Sequence, residues 1–242
     1  MDRTTVFAVV EGYSENGFLT GLIASHLGEL GVDFSAKIVG EGSSRGGMSC
    51  RTFGQICSEI ARLLRDRRKP HVTTFFDYYG LPTSSNGGWE FVKPAKSRGA
   101  HRGAEDIENR FADAVGGIIG RNDCAGRFIP YLQLHELEAL FYAEPDVLAE
   151  TLGKPSLAAS FQRIVAECSG CESINDTPQT APSKRLEKLF RGYIKGRSAS
   201  AHAPRLARKL DLAKVRSACP RFNDWLTRLE SLRAVSGTSD AV

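Results

Sequence analysis

The sequence has no apolar run of the roughly 20 residues that an α-helix needs to cross a lipid bilayer. Its first residues lead directly into a strand-like segment and lack the pattern of a secretory signal peptide. The chain of 242 residues also has no internal repeat and no low-complexity tract. These absences predict a cytoplasmic globular protein without a membrane partner.

Cysteine is scarce and scattered. The six cysteines are Cys50, Cys57, Cys124, Cys168, Cys171 and Cys219. A chain this long and this well supplied with apolar residues does not need a disulfide framework, so we expect reduced thiols. Cys168 and Cys171 form one C-x-x-C pair without a second pair at zinc-finger spacing, which argues against a metal or redox role.

Charge of each sign is concentrated in a different part of the chain. Residues 184–242 carry 14 Lys and Arg against 5 Asp and Glu, whereas residues 1–183 carry 18 against 23. The asymmetry predicts an acidic part suited to a metal ion and a basic part that faces phosphate groups. An ordinary solvated helix surface is the alternative interpretation of the basic part.

The segment 6–19, VFAVVEGYSENGFL, joins an apolar run to an amphipathic pattern. It predicts a strand buried on both faces, then a turn and a helix with Ser14 as its N-cap. Glu11 ends the strand and Glu15 lies in the first helical turn, at the sheet edge where open α/β proteins bind ligands. The alternative is that Glu15 only favours the helix start and Glu11 is a solvated loop acid.

A second apolar strand is predicted at 72–76, and Asp77 directly follows it. If the two strands are parallel neighbours, Glu11 and Asp77 meet at one edge, because neighbouring strands lie about 5 Å apart. Such a pair predicts a hard divalent cation, since Mg²⁺ prefers carboxylate oxygens. Before this strand, the Gly/Ser-rich segment 40–47 offers Arg45 as a candidate anion contact.

The next segments predict a long exposed loop at 83–104, a helix at 105–119 and a third strand at 127–134. Pro130 within that strand favours an irregular or edge position.

The third strand runs into His135, Glu136 and Glu138. His135 and Glu138 are three residues apart and would share one face of a helix. His-x-x-Glu supplies too few ligands for a complete zinc site, and a core or capping histidine is the alternative.

From Pro145 the pattern is helical to residue 235. We therefore predict an α/β domain at 1–144 with a small parallel sheet, a basic helical extension at 145–235 packed on it, and a disordered tail at 236–242. Lys184 begins one of these helices, where it could reach a phosphate or simply be a solvated helix start.

Five segments, taken in chain order, resemble the bacterial domain-of-unknown-function family 4276: VEGYSENGFL, TTFFDYYGLP, RFIPYLQLHELEALFY, NDTPQTAPSKRLEKLF and RSACPRFNDWLTRLE. The resemblance covers residues 6–232. That family in turn resembles the Toprim fold of topoisomerases, primases and overcoming-lysogenization-defect (OLD) nucleases. The similarity implies a small parallel sheet flanked by helices and an acidic site for Mg²⁺ or Mn²⁺.

Position by position, Glu11 is similar to the Toprim glutamate, and Glu15 to the second acid that OLD-type nucleases place four residues later. Asp77 is similar to the first aspartate of the Asp-x-Asp pair, but Tyr79 occupies the second position. The remaining metal ligand is then expected from a set with one histidine and two acids: His135, Glu136 and Glu138.

The function that the resemblance implies is metal-dependent phosphodiester hydrolysis. Lys184 is similar to the basic residue that faces the scissile phosphate. The residues expected to hold the nucleic-acid backbone are Arg45, Lys184, Arg185 and Lys195. An ATPase partner of the AAA or ABC type, a role in defence against phage and an oligomer are further expectations.

Two alternatives stay open: phosphoryl chemistry on a nucleotide or small molecule under a closing 83–104 loop, and a non-catalytic binding subunit.

Overall fold

The computed structural model describes residues 3–40, 51–84, 87–174, 179–195 and 197–233, without the side chains of residues 197 and 198. The candidate anion contact Arg45 and the predicted tail lie outside the described residues. Among the described helices, none combines the length and apolar character that a membrane crossing requires.

Five parallel strands form the sheet. They are β1 Thr4–Val10, β2 Val32–Ile38, β3 His71–Asp77, β4 Phe128–Ile129 and β5 Leu132–Gln133. The order is β2-β1-β3-β4, and β5 pairs with the carboxyl end of β3. The predicted α/β class, with a small parallel sheet flanked by helices, is confirmed.

α-Helices account for most of the remaining regular structure. They are α1 Tyr13–Glu29, α2 Phe53–Leu64, α3 Val92–Lys96, α4 Ala100–Ile119, α5 Arg121–Cys124, α6 Glu138–Phe141, α7 Pro145–Thr151, α8 Ala158–Glu167, α9 Pro182–Leu189, α10 Arg197–Ala207, α11 Leu212–Ala218 and α12 Pro220–Glu230. The carboxyl-terminal part is helical, as predicted.

The sheet separates two hydrophobic cores. Side chains alternate along β1, so Val6, Ala8 and Val10 face one core while Phe7 and Val9 face the other. The first core is shared with α1 and the carboxyl-terminal helices, and the second with α2 and α4. Both faces are therefore covered, which explains why β1 reads as a continuous apolar run.

The third predicted strand is interrupted at Pro130 and Tyr131, which separate β4 from β5. Thr74 of β3 bridges the gap: its hydroxyl donates to the Tyr131 carbonyl and accepts from the Tyr131 amide, both at 2.8 Å. A side chain thus satisfies backbone groups that the ladder leaves unpaired.

We expect Thr74→Val to lower the free energy of unfolding by about 1–2 kcal/mol, because it leaves the buried Tyr131 amide and carbonyl without this partner. Urea denaturation measures the loss, with the exposed Thr20 of α1, changed to valine, as the matched control. An equal loss in both variants would show that the bridge contributes nothing.

The predicted exposed loop at 83–104 is wrong for the residues that the structure describes. Trp89 and Val92 are buried, and the Trp89 indole nitrogen donates to the Arg51 carbonyl at 3.1 Å. The Trp89 ring packs 5.3 Å from the Phe53 ring. Trp89 and Phe91, which packs 4.9 Å from the Phe53 ring, anchor this segment over α2, and the polar residues around them concealed the anchor.

The carboxyl-terminal helices pack closely on α1. A Cβ atom added to Gly17 would lie 2.5 Å from Pro204 Cγ, and one added to Gly21 would lie 2.9 Å from the Ala207 Cβ. The two glycines therefore permit the close approach of α1 and α10.

Candidate functional site

The site lies at the carboxyl edge of the sheet. Glu11 directly follows β1, Asp77 ends β3, and residues 135–138 follow β5. Val10 of β1 pairs with Phe75 of β3, so the two strands are neighbours. The Asp77 amide donates to Glu11 Oε1 at 2.8 Å, which confirms the predicted meeting of these two residues.

Asp77 is the most central carboxylate. It is buried, and its Oδ1 accepts a hydrogen bond from the Leu137 amide at 2.8 Å. Its Oδ2 lies 3.4 Å from the ammonium of Lys195. Burial raises the pKa of Asp77 well above its ordinary value against the opposing charge of Lys195. The aspartate is thus held in place, with its charge only partly compensated.

Glu136 and Glu138 add two buried carboxylates. Glu136 Oε1 lies 2.6 Å from the Lys195 ammonium, and its Oε2 accepts from the Ser183 amide at 2.9 Å. Glu138 Oε1 accepts from the Tyr193 hydroxyl at 2.8 Å. Burial raises the pKa of Glu138 to about 7, although Lys195 opposes the shift.

Glu11 and Glu15 are only partly buried. Burial, followed by the charge of Glu15, raises the pKa of Glu11 to about 7. Burial also raises the pKa of Glu15. The predicted N-cap Ser14 is wrong: Gly12 occupies the cap position, and Ser14 is buried inside α1. The first turn of α1 thus brings Glu15 close to the acid at the strand end.

The cation at this edge is Lys195, which the sequence placed only among the nucleic-acid contacts. Its ammonium contacts both Asp77 and Glu136, while 40% of its side chain stays exposed. Burial opposes its charge, but Asp77, Glu138 and Glu136 outweigh this effect and raise the pKa of the ammonium. Lys195 lies 118 residues from Asp77, so no local spacing marks it.

Lys184 does not occupy that position. Its ammonium pairs with Glu187 at 2.7 Å on the surface of α9, and half of its side chain is exposed. Arg185 donates to the Thr180 carbonyl at 2.9 Å. None of these described contacts reaches a carboxylate of the edge, so the roles predicted for Lys184 and Arg185 stay predictions.

A second cation, Lys96, was missed by sequence reasoning. Its ammonium donates to the carbonyls of Tyr79 and Leu81, at 3.1 and 3.3 Å. Burial lowers the pKa of Lys96 to about 8 against the attraction of Glu11. Lys96 belongs to the segment predicted as a loop, and the short helix α3 is what directs it to the edge.

His135 is not on a helix with Glu138, contrary to the prediction. It has a left-handed backbone, with φ of 68°, and α6 begins only at Glu138. Its Nε2 lies 2.8 Å from the Glu172 carbonyl, and its ring stacks 5.1 Å from the Tyr79 ring with 18° between the planes. These contacts make it a support for Tyr79.

The model of the family described as a domain of unknown function, DUF4276, matches residues 10–230. The chain belongs to the DUF4276 family. No curated protein and no solved structure matches it. The match extends from the last residue of β1 to the end of α12, so it includes strands β2 to β5, the acids that follow β1 and the carboxyl-terminal helices.

As the side chains stand, no three His, Cys, Asp or Glu residues of the described DUF4276 chain form a group placed to hold a metal ion. The reason is visible in the contacts: Asp77 and Glu136 hold Lys195, and the other acids accept bonds from their surroundings. The donor set itself fits a hard cation, because every donor is a carboxylate oxygen. The pKa values of Glu11, Asp77 and Glu138 are raised because burial disfavours their charged forms. A bound cation would stabilise these charged forms.

Proposed function

We propose that this DUF4276 protein is a divalent-metal-dependent hydrolase of phosphodiester bonds in nucleic acid. The observation that carries the proposal is the convergence of five carboxylates, those of Glu11, Glu15, Asp77, Glu136 and Glu138, at the carboxyl edge of a parallel sheet. Ligands of open α/β proteins bind at that edge. The Toprim-like description belongs to this proposal and is supported by the acids at the ends of β1 and β3.

The residues that would hold Mg²⁺ or Mn²⁺ are Glu11, Glu15, Asp77 and Glu138. When bound, such an ion supplies a Lewis acid that activates water and stabilises a leaving oxygen. Glu136 holds the Ser183 amide and Lys195, which makes it a positioning residue for the lysine. His135 stacks on Tyr79 and its Nε2 lies next to the Glu172 carbonyl, so the proposed metal ligands do not include it.

Lys195 is the residue to which we assign the contact with the phosphate. Its side chain remains partly exposed, and a metal ion among the carboxylates would repel its ammonium. The lysine would then turn to an anionic phosphate and neutralise the charge that develops on it. Lys184, Arg185 and the exposed arginines of the carboxyl-terminal helices would contact the nucleic-acid backbone. An ATPase partner and a role in phage defence extend the same proposal.

We expect Asp77→Asn to weaken Mn²⁺ binding at least about tenfold and to remove cleavage of a plasmid and of oligonucleotides, because the central carboxylate charge is lost. Calorimetric titration of Mn²⁺ measures binding. Glu11→Gln should behave likewise, while Asp113→Asn, at an exposed site on α4, should match the wild type. Cleavage by the Asp77→Asn variant at the wild-type rate would contradict the proposal.

A second candidate is a non-catalytic binding subunit. Lys195 already neutralises part of the cluster, and the described residues contain no preformed group of three metal ligands. This function predicts salt-sensitive nucleic-acid binding that is independent of Mg²⁺ and Mn²⁺. The segment at 83–104 gives no support to a lid over a small molecule, because Trp89 and Val92 are packed in the core.

A further inference from the structure

Exposed apolar side chains gather around the carboxylate edge. Among the described residues, four large hydrophobic side chains are more than one third exposed: Tyr13 at 73%, Ile194 at 53%, Tyr79 at 42% and Ile118 at 39%. Tyr13, Tyr79 and Ile194 form what we call the apolar rim. Each is one or two residues from a carboxylate or lysine of the site.

The three rim residues are close in sequence to site residues that contact one another. Tyr13 is two residues from both Glu11 and Glu15, Tyr79 is two residues from Asp77, and Ile194 precedes Lys195. Consecutive Cα atoms are 3.8 Å apart, so each rim Cα lies within about 7.6 Å of the Cα of a site residue. Glu11, Asp77 and Lys195 are themselves linked through the Asp77 amide and carboxylate.

Ile118 differs in position. Its carbonyl accepts a hydrogen bond from Arg65, which follows the carboxyl end of α2. Nearby Arg127 donates to the Leu64 carbonyl and accepts from the Val72 amide at the start of β3. Ile118 therefore lies near the opposite, amino-terminal edge of the sheet.

The chemistry of the rim favours a ligand with flat apolar faces and a charged backbone. Tyr13 is mostly open to solvent, whereas the Tyr79 ring already contacts the stacked His135 ring and the Lys96 ammonium, which lies 5.6 Å from its centroid. Lys96 and Lys195 lie at the same edge and would face phosphates. Isolated exposed apolar residues are common, but a cluster of them around a polar site marks a binding surface.

We infer that this edge binds single-stranded nucleic acid, with an unpaired base stacked on Tyr13. The inference deepens the proposed function and rests on it for the identity of the substrate. Bases in a duplex are stacked on one another, so their faces are not open to a tyrosine ring. Stacking on an aromatic side chain strengthens the binding of each base and tolerates any sequence, because every base has a flat π face.

The test is fluorescence anisotropy with labelled single-stranded DNA, single-stranded RNA and duplex DNA, in Ca²⁺ as a non-activating cation. We expect tighter binding of a single strand than of the duplex, and about tenfold weaker binding of that strand by Tyr13→Ala. Tyr13→Trp should restore binding, because it keeps a stacking surface. Ile118→Ala, at the opposite edge, should match the wild type.

Equal or tighter duplex binding would overturn the inference, as would single-strand binding that Tyr13→Ala leaves unchanged. A dimer in light scattering that Tyr13→Ala dissociates would also overturn it, by assigning the rim to a second copy of the chain. The tighter-bound of the two single strands, DNA or RNA, identifies the class of nucleic acid that this edge binds.

Hydrolysis of bis(4-nitrophenyl) phosphate with Mn²⁺ tests the proposed chemistry without any base. If the wild type hydrolyses it and Asp77→Asn does not, a failure of the Tyr13 test concerns the rim alone. If neither hydrolyses it while Tyr13 governs single-strand binding, the rim is supported and the catalytic function is overturned.

Discussion

Glu138→Gln should raise the free energy of unfolding by roughly 3 kcal/mol at pH 8 in the absence of divalent ions. Burial raises the pKa of Glu138 from 4.5 to about 7. A pKa difference of one between the folded and unfolded states corresponds to about 1.36 kcal/mol of stability. A carboxyl group with a raised folded-state pKa contributes stability below pH 4.5, and this contribution is lost as the pH rises to 7. Glutamine has no proton to lose, and its carbonyl can still accept from Tyr193.

Urea denaturation at pH 5 and pH 8, with a chelator present, measures this effect. The gain should shrink to below about 1 kcal/mol at pH 5, where the glutamate of the folded wild type is protonated. Glu150→Gln, at an exposed position on α7, is the matched control. A gain that is the same at both pH values would contradict the assignment to the carboxylate charge.

The same substitution should weaken Mn²⁺ binding, because Glu138 is a proposed ligand. A more stable but inactive variant is the expected signature of a residue retained for function at the expense of stability.

Lys195→Met should have the opposite effect and lower the free energy of unfolding by about 3 kcal/mol at pH 8. It removes the cation that contacts Asp77 and Glu136, and leaves buried carboxylates without compensation. Breaking a buried ion pair typically costs about 3–5 kcal/mol, and the lower value applies because part of the lysine is exposed.

The loss should shrink at pH 5, because the pKa values of Glu11 and Glu138, raised to about 7, keep these two acids protonated there. Added Mg²⁺ should restore stability at pH 8, since the ion replaces the missing charge. Lys188→Met, at an exposed position on α9, is the control. Unchanged stability of Lys195→Met at pH 8 would show that the backbone donors alone compensate the cluster.

Glu11 and Asp77 could be located from the sequence because they end two apolar strands, and parallel strands bring their carboxyl ends to one edge. The helix periodicity also located most of the helices after Pro145. These features depend on neighbours in the chain, or on a rule that applies to every parallel sheet.

Lys195 and Lys96 could not be located in this way. Lys195 reaches the edge because the buried Tyr193, two residues earlier, anchors its loop to Glu138. An isolated aromatic residue among glycines and basic residues is a weak signal of such an anchor. Lys96 reaches the edge in a similar way, because the buried Trp89 anchors the segment that contains it. The left-handed backbone at His135 has only a weak sequence signal, because histidine adopts this conformation more often than most residues but still in a small minority of cases.

The close packing of α10 on α1 at Gly17 and Gly21 determines when the molecule can acquire its site during synthesis. The apolar face of the first helix is covered by a helix that emerges from the ribosome almost two hundred residues later, and Lys195 comes from the loop before it. Closing so long a loop slows folding, and until then the nascent chain exposes the part of α1 that α10 covers. A chain that ends at residue 144 would therefore be an aggregation-prone intermediate, and the activity that we propose could not arise before translation has passed α10.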